Sequence, residues 1–259
     1  MTKLNTEQYR NPTRYNIVVL GGTSDIASAY LTALINQEQK IKYTIHLVGR
    51  CESALSIKKQ HYEVLGADVQ ITVADLTQPR PVSEIIEKGQ KIDEAFICFS
   101  ELTDQARSEH EDDYFLSQLL INFSYNAYWV NYFTKTFIAQ EYGKIVVIGS
   151  VAGDIGRKKN YTYGSAKAGL DVFCQGTQHR LATIPSVSLH LIKPGIVKSK
   201  MTAHLEPVGI LASDLHTVGI KILQAVKNKK NVSYIPSYWQ YVMYILKKMP
   251  WIIFKRMDF

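Results

Sequence analysis

The stretch Tyr15-Asn16-Ile17-Val18-Val19-Leu20-Gly21-Gly22-Thr23-Ser24-Asp25-Ile26-Ala27 decides the fold. A run rich in Val and Ile passes without a break into paired glycines, and a helical pattern over residues 24–37 follows at once. A short apolar run bounded by glycine reads as a buried strand, and the change of period marks a strand-to-helix turn. Outward from it the same alternation recurs. Strand-like runs cover residues 43–48, 69–73, 94–99, 144–148, 186–192 and 232–235, and helical segments cover 52–65, 81–88, 113–141 and 163–181. Several runs are apolar on both faces, as strands of a parallel sheet covered on both sides are. Right-handed crossovers place helices on both faces. The expected architecture is α/β, a doubly wound parallel sheet of about seven strands. No repeat or linker divides residues 1–259, so one domain is expected, ending in a basic, aromatic segment at 237–259.

Composition narrows the function classes. The 259 residues are 46% hydrophobic and 20% charged, which is ordinary globular usage and excludes a disordered chain. No run of about 20 apolar residues suits a membrane-spanning helix, and the polar first 14 residues lack a signal-peptide core. Cys51, Cys98 and Cys174 lie far apart, which argues against a disulfide framework or a metal site and fits a reducing cytoplasm. The net charge of +7 is concentrated: residues 221–259 hold eight bases and one acid. No nucleic-acid recognition motif accompanies it.

In a Rossmann-type sheet the first strand-to-helix turn seats a dinucleotide pyrophosphate, on glycine backbone and a helix N-terminus. Gly21 supplies the close approach, Thr23 and Ser24 supply hydroxyl donors, and Ile26 follows in the first helical turn. Against the spacing G-x-x-x-G-x-G, only Gly21 matches; Asp25 and Ala27 stand at the other two places. A carboxylate at Asp25 repels a pyrophosphate unless it caps the helix or turns away. The second strand ends in Leu47-Val48-Gly49-Arg50, with no acid for a ribose 2′-hydroxyl. Arg50 can instead pair with a 2′-phosphate in fork geometry, which favours NADPH over NADH. The third strand ends in Val73-Ala74-Asp75-Leu76, where Asp75 faces the crevice and can accept from an adenine amino group.

Tyr163-Gly164-Ser165-Ala166-Lys167 places a phenol and an ammonium on one helix face. A nearby lysine is expected to lower the phenol pKa, each unit corresponding to about 1.4 kcal/mol. Tyr161 has only Ser165 at the equivalent spacing. Ser150 lies thirteen residues upstream of Tyr163 in Ile148-Gly149-Ser150-Val151-Ala152-Gly153, and Asn122 lies forty-one upstream. Lys193-Pro194-Gly195-Ile196-Val197-Lys198-Ser199 closes the sixth strand.

These features, in this order, resemble the short-chain dehydrogenase/reductase family over roughly residues 15–199. The resemblance implies an oxidoreductase that reduces a ketone with NADPH. It implies Tyr163 as general acid, Ser150 as holder of the carbonyl oxygen, Lys167 on the nicotinamide ribose, and Asn122 on a water that links Lys167 to solvent. It also implies that Pro194, Gly195 and Val197 lie against the nicotinamide, with Ser199 near its carboxamide. One departure stands out: Ile97-Cys98-Phe99-Ser100 occupies the family's usual N-N-A-G place, so Phe99 adds bulk near the adenosine ribose.

The set Gly21 to Ala27, Leu102-Thr103-Asp104-Gln105 and Pro194-Gly195-Ile196-Val197-Lys198-Ser199-Lys200-Met201-Thr202 narrows the likeness. It is similar to bacterial reductases that act with a flavin oxidase on decaprenylphosphoryl ribose, reducing the 2-keto sugar. Two other readings stand beside a lipid-linked ketone: a soluble or carrier-bound ketone such as a 3-oxoacyl group, or a non-enzymatic nucleotide-binding scaffold. Residues 238–246 and 249–254 form aromatic and aliphatic blocks, each followed by two bases, with Pro250 breaking the helix. They suit a membrane surface at the inner face, or cover for the protein's own core or a subunit contact. Residues 201–213 are expected to form a substrate lid. By the same resemblance, helices 113–141 and 163–181 form a homodimer or homotetramer contact.

Overall fold

The computed structural model describes residues 14–37, 40–78, 90–203 and 212–257. Seven parallel strands form one sheet: β1 (Arg14–Leu20), β2 (Lys42–Gly49), β3 (Asp68–Val73), β4 (Glu94–Ile97), β5 (Gly143–Ile148), β6 (Val187–Pro194) and β7 (Val232–Ile235). Their order is β3-β2-β1-β4-β5-β6-β7. The strand order reverses between β1 and β4, and ligands of open α/β sheets bind beyond the strand C-termini at such a point.

Helices cover both faces. Helix α1 (Asp25–Gln37) buries Ala27, Tyr30, Leu31, Leu34 and Ile35, a spacing that lines one helical face. With α2 (Glu52–Val64) it packs on one side of the sheet, around Val19, Ile45 and Leu47. The short α3 (Gln105–Ser108) and α4 (Asp112–Leu119) lead through a wide helical turn, Leu120–Ser124, into α5 (Tyr125–Gln140). On the other face Trp129, Val130, Phe133 and Phe137 of α5 meet Leu170 and Cys174 of α6 (Tyr161–Leu181) over Val18, Ile97 and Val147. Full burial of each such side chain stabilises the fold by about 1.5–3 kcal/mol. Helix α7 (Leu215–Lys227) returns to the first face beside α1.

Every strand-like run of the sequence becomes a strand, although β4 stops two residues short of its expected end at Phe99. The helix expected over 113–141 is divided by the wide turn that carries Asn122. The helix expected at 81–88 lies outside the described residues, as does most of the lid expected at 201–213. Pro250 does break the C-terminal helix, separating α8 (Tyr238–Lys248) from α9 (Trp251–Phe254). Among the described residues no helix is long and apolar enough to cross a membrane.

Candidate active site

A cavity of about 290 Å³ opens at the ends of β1 to β4. It gathers nine residues singled out from the sequence: Gly21, Thr23, Ser24, Asp25, Ile26, Arg50, Asp75, Leu76 and Ser199. The turn after β1 explains its glycine. Gly21 has φ of 94°, and a Cβ there would stand 2.9 Å from the backbone nitrogen of Phe99. The Gly21 and Gly22 N–H groups both donate to the Val48 carbonyl, at 3.0 and 2.9 Å, which pins the turn to β2. Ser24 Oγ accepts from Ala27 N at 3.4 Å at the start of α1.

Asp25 lines the cavity with its charge engaged. Its carboxylate accepts from Lys200 N at 2.9 Å and lies 3.9 Å from Lys58 Nζ. The charge that fits the glycine pattern poorly is thus balanced, and it ties α1 to the segment after β6. At the opposite rim Arg50 Nη2 stands 3.2 Å from Glu101 Oε1, with both side chains substantially exposed. Asp75 Oδ1 accepts from Thr77 N at 3.0 Å and Thr77 Oγ1 at 2.8 Å. These bonds hold its carboxyl below the usual range. Phe99 lines the cavity and packs on the α5–α6 core.

The remaining predicted residues do not line this cavity. The buried Tyr163 hydroxyl lies near the Ser150 and Ser100 side chains, which offset part of the upward pull of burial on its pKa. Ser150 is held at the head of the turn Val151–Asp154, its Oγ accepting from Ala152 N at 3.1 Å. Lys167 Nζ lies 5.6 Å from the Tyr163 ring centroid and donates to the Ile148 carbonyl at 3.3 Å. Ser100 joins the two parts, since it lines the cavity and also lies near the Tyr163 hydroxyl. The sequence showed Ser100 only as a departure from a family glycine.

The electrostatics correct one expectation. Lys167 does not bring the Tyr163 phenol down; burial pushes it up to about 12. Burial likewise pushes Lys167 down to about 8. Desolvation dominates both shifts, because both groups are almost completely buried and the ammonium is directed at a backbone carbonyl.

Asn122 occupies the wide turn and is fully buried. Its Oδ1 accepts from Glu101 N at 3.0 Å, and its Nδ2 donates to Gln118 Oε1 at 3.4 Å. Asn126 Nδ2 donates to the Phe99 carbonyl at 3.2 Å. Two asparagines of one helical segment therefore fix the backbone on either side of Ser100. Asn126 carried no sequence signal.

Beneath this cluster lies a group that sequence reading missed. Lys193, near the end of β6, pairs with Asp154 and Asp171. Its pKa is raised by the hydrogen bonds to the two carboxylates, against the burial that would lower it. Tyr234 donates to Asp154 Oδ2 at 2.8 Å, and Lys247 Nζ of α8 lies 3.5 Å from Asp154 Oδ1. Beyond Pro194, Gly195 N donates to the Ile235 carbonyl at 2.9 Å. A Cβ on Gly195 would meet Trp239 Nε1 at 1.8 Å, so α8 packs directly on this loop. Val197 is buried and bridges to Ser213, and Ser199 N donates to Thr202 Oγ1 at 3.2 Å. Among the described residues no group of three or more His, Cys, Asp or Glu is placed to hold a metal.

The residues present fit a dinucleotide. Gly21 leaves space that a side chain would fill, Asp25 is neutralised, and Arg50 stands free enough at the rim to change partner. The Ser150–Tyr163 pair can donate two hydrogen bonds to one oxygen atom and deliver one proton.

The profile of the family described as "short chain dehydrogenase" matches residues 15–208. An "Uncharacterized oxidoreductase" of Mycobacterium tuberculosis is 27% identical over 246 residues, covering 93% of this chain and 96% of that protein. A 3-oxoacyl-[acyl-carrier-protein] reductase of Rickettsia prowazekii is 26% identical over 189 residues, covering 73% and 75%. Among solved structures, a short chain dehydrogenase from Burkholderia cenocepacia in complex with NADP superposes with TM-score 0.77 at 15% identity, covering 95% and 98%.

Proposed function

The chain belongs to the short chain dehydrogenase family, and from that premise we propose that it reduces a ketone to a secondary alcohol with NADPH. The observation that carries the reading is the buried Tyr163 hydroxyl near Ser150 and Ser100, with Lys167 Nζ 5.6 Å from its ring. NADP in a structural neighbour and Arg50 at the cavity rim support the choice of cofactor.

Gly21, Thr23, Ser24 and the backbone of Asp25 and Ile26 would hold the pyrophosphate side, Arg50 the 2′-phosphate, and Asp75 and Leu76 the adenosine. Lys167 would hold the nicotinamide ribose; Pro194, Gly195, Val197 and Ser199 would flank the nicotinamide. NADPH, when bound, supplies the hydride that the ketone carbon gains. Ser150 and Tyr163 donate hydrogen bonds to the ketone oxygen, where negative charge develops. Tyr163 then gives its proton to that oxygen. A phenol with pKa near 12 is protonated at neutral pH and so has the proton to give. Ser150 and Ser100, whose side chains favour the anionic form, stabilise the tyrosinate that remains, and Asn122 positions the Glu101 side of the Ser100 loop.

For the substrate, the reading is a ketone on a lipid carrier, such as a 2-keto sugar on a polyprenyl phosphate. The motif set around Asp25 and Pro194 and the apolar surface of α8 and α9 support it. The second reading, a 3-oxoacyl thioester, is favoured by the relatives named as 3-oxoacyl reductases. Exposed Leu116, Leu120 and Val172 on the α4–α6 surface support a homo-oligomer through those helices.

The test is NADPH oxidation with a lipid-linked keto sugar and a 3-oxoacyl thioester, using wild type and Tyr163→Phe. Turnover by the variant is expected to fall by about 10²–10⁴ with NADPH affinity nearly unchanged. A variant that keeps near-normal turnover would remove Tyr163 from the reaction. Turnover of the thioester alone would select the second reading.

A further inference from the structure

Helix α8 has two apolar faces where a helix on a soluble surface has one. The inner face is accounted for: Trp239 and Met243 are buried on Val151, the residue after Ser150. The outer face carries Tyr241, Tyr244 and Ile245, each more than 60% exposed. Beyond Pro250, α9 buries no residue and exposes Trp251, Ile252 and Ile253. Of seventeen large exposed hydrophobics among the described residues, seven fall between Tyr238 and Ile253. That density exceeds scattered surface apolar residues and marks an interaction surface. A four-residue helix with no buried side chain also needs a surface to rest on, because so short a helix is marginal alone in water.

Charge selects the occupant. From Tyr238 to Met257 the chain holds Lys247, Lys248, Lys255 and Arg256 and no acid. The bases follow each apolar block directly, so apolar atoms and cations share one exposed band. A second copy seated on this band would bring bases against bases. An anionic bilayer surface complements both parts: headgroups meet the cations, and the interface takes up Trp, Tyr and Ile side chains.

We infer that α8 and α9 form a docking surface for an anionic membrane, with their outer faces lying in the headgroup region. The inner face of α8 fixes what such docking presents. Trp239 packs on Gly195 and Lys247 reaches Asp154, so the docked face adjoins the loops that carry Ser150 and Pro194. The site therefore stands next to the lipid surface, where a ketone on a lipid carrier would arrive. The inference deepens the lipid-carrier reading and rests on it for that last step, but its test does not use the reaction.

The full chain is mixed with vesicles of phosphatidylcholine alone and of phosphatidylcholine with phosphatidylglycerol, and sedimentation and tryptophan emission are recorded. Trp129 and Trp239 are buried and Trp251 is 71% exposed, so a blue shift on binding reports Trp251. Binding is expected with the anionic vesicles, weakened by salt and accompanied by the blue shift. The Lys255→Ala/Arg256→Ala variant is expected to bind on the order of thirtyfold more weakly, at about 1 kcal/mol per base near an anionic surface. Both residues are exposed, and an unchanged melting temperature shows that the variant is folded. Absence of sedimentation with either vesicle overturns the inference, as does binding that ignores phosphatidylglycerol. A concentration-dependent dimer abolished by Trp251→Glu, without vesicle binding, would assign the band to a second copy. Neither result bears on whether the protein oxidises NADPH with a soluble ketone.

Discussion

At the ends of β1 to β3 the charged groups stay near water. Arg50 and Glu101 are 67% and 38% exposed, and Asp75 is held by its neighbour Thr77. At the ends of β5 and β6 the charges are sealed in. Lys193 and Asp154 are 3% and 1% exposed, and Lys167 is 2% exposed. The first region holds its charges loosely, and an exposed pair of this kind is worth about 0–1 kcal/mol. Such groups exchange a protein partner for a ligand at little cost. The second region holds its charges by geometry. Asp154 closes the turn that starts with Ser150, Asp171 sits one helical turn beyond Lys167, and Lys193 precedes Pro194. One buried cation thus joins the three segments that carry the proposed chemistry. Fixed dipoles and charges are what a reaction with a developing oxyanion needs, whereas a site for a large exchangeable ligand needs partners that let go.

The strongest way to break this comparison is to remove that cation. Lys193→Met leaves Asp154 and Asp171 buried without their shared partner, and removing one member of a buried pair costs about 3–5 kcal/mol. Urea unfolding should show a loss of that size. A loss below about 1 kcal/mol would mean that Lys247, at 3.5 Å from Asp154, already balances the site. The buried region would then be no more rigidly determined than the exposed one.

A second prediction uses pH. Lys167 titrates near 8 in the folded protein and near its ordinary 10.5 when unfolded. Between those values the unfolded chain binds more protons, so stability should rise with pH from about 8 toward 10. Tyr163 has the opposite sign: folded near 12 and unfolded near 10, it costs stability above about pH 10. The Lys167 contribution amounts to a few kcal/mol at most, on the order of 1.4 kcal/mol per unit. Subtracting the profile of Lys167→Met isolates it. A wild-type curve parallel to the variant's from pH 8 to 10 would show that Lys167 keeps its proton in the fold.

The two regions also differ in how far the sequence discloses them. The open one is local: Gly21, Ser24 and Asp25 are neighbours in the chain, and Arg50 and Asp75 each end a recognisable strand, so their meeting follows from the strand pattern. The sealed one is assembled from afar. Lys193 meets Asp154 and Asp171 across 39 and 22 residues, and nothing in an apolar run ending in lysine announces two carboxylates. Tyr163 and Lys167 were legible as a pair because helical spacing puts them on one face. Their burial was not, and burial reversed the expected direction of the phenol shift. The wide turn at Asn122 was equally hidden, since one extra residue in a helical turn leaves no compositional trace.

The smallest effect tests the loose side of the comparison. Arg50 has Glu101 as its partner at 3.2 Å, and the pair is exposed enough to part cheaply. If Arg50 is the group that recognises a 2′-phosphate, Arg50→Ala should weaken NADPH about tenfold, which is about 1.4 kcal/mol. NADH has no 2′-phosphate, so its affinity should stay within about twofold of wild type, since rim interactions contribute 0–1 kcal/mol. Calorimetric titration of both nucleotides against wild type and variant separates these outcomes. Equal losses for both would mean that Arg50 shapes the rim through Glu101 rather than reading the phosphate. No loss for either would leave the cofactor preference to Lys58, the cation that already flanks Asp25.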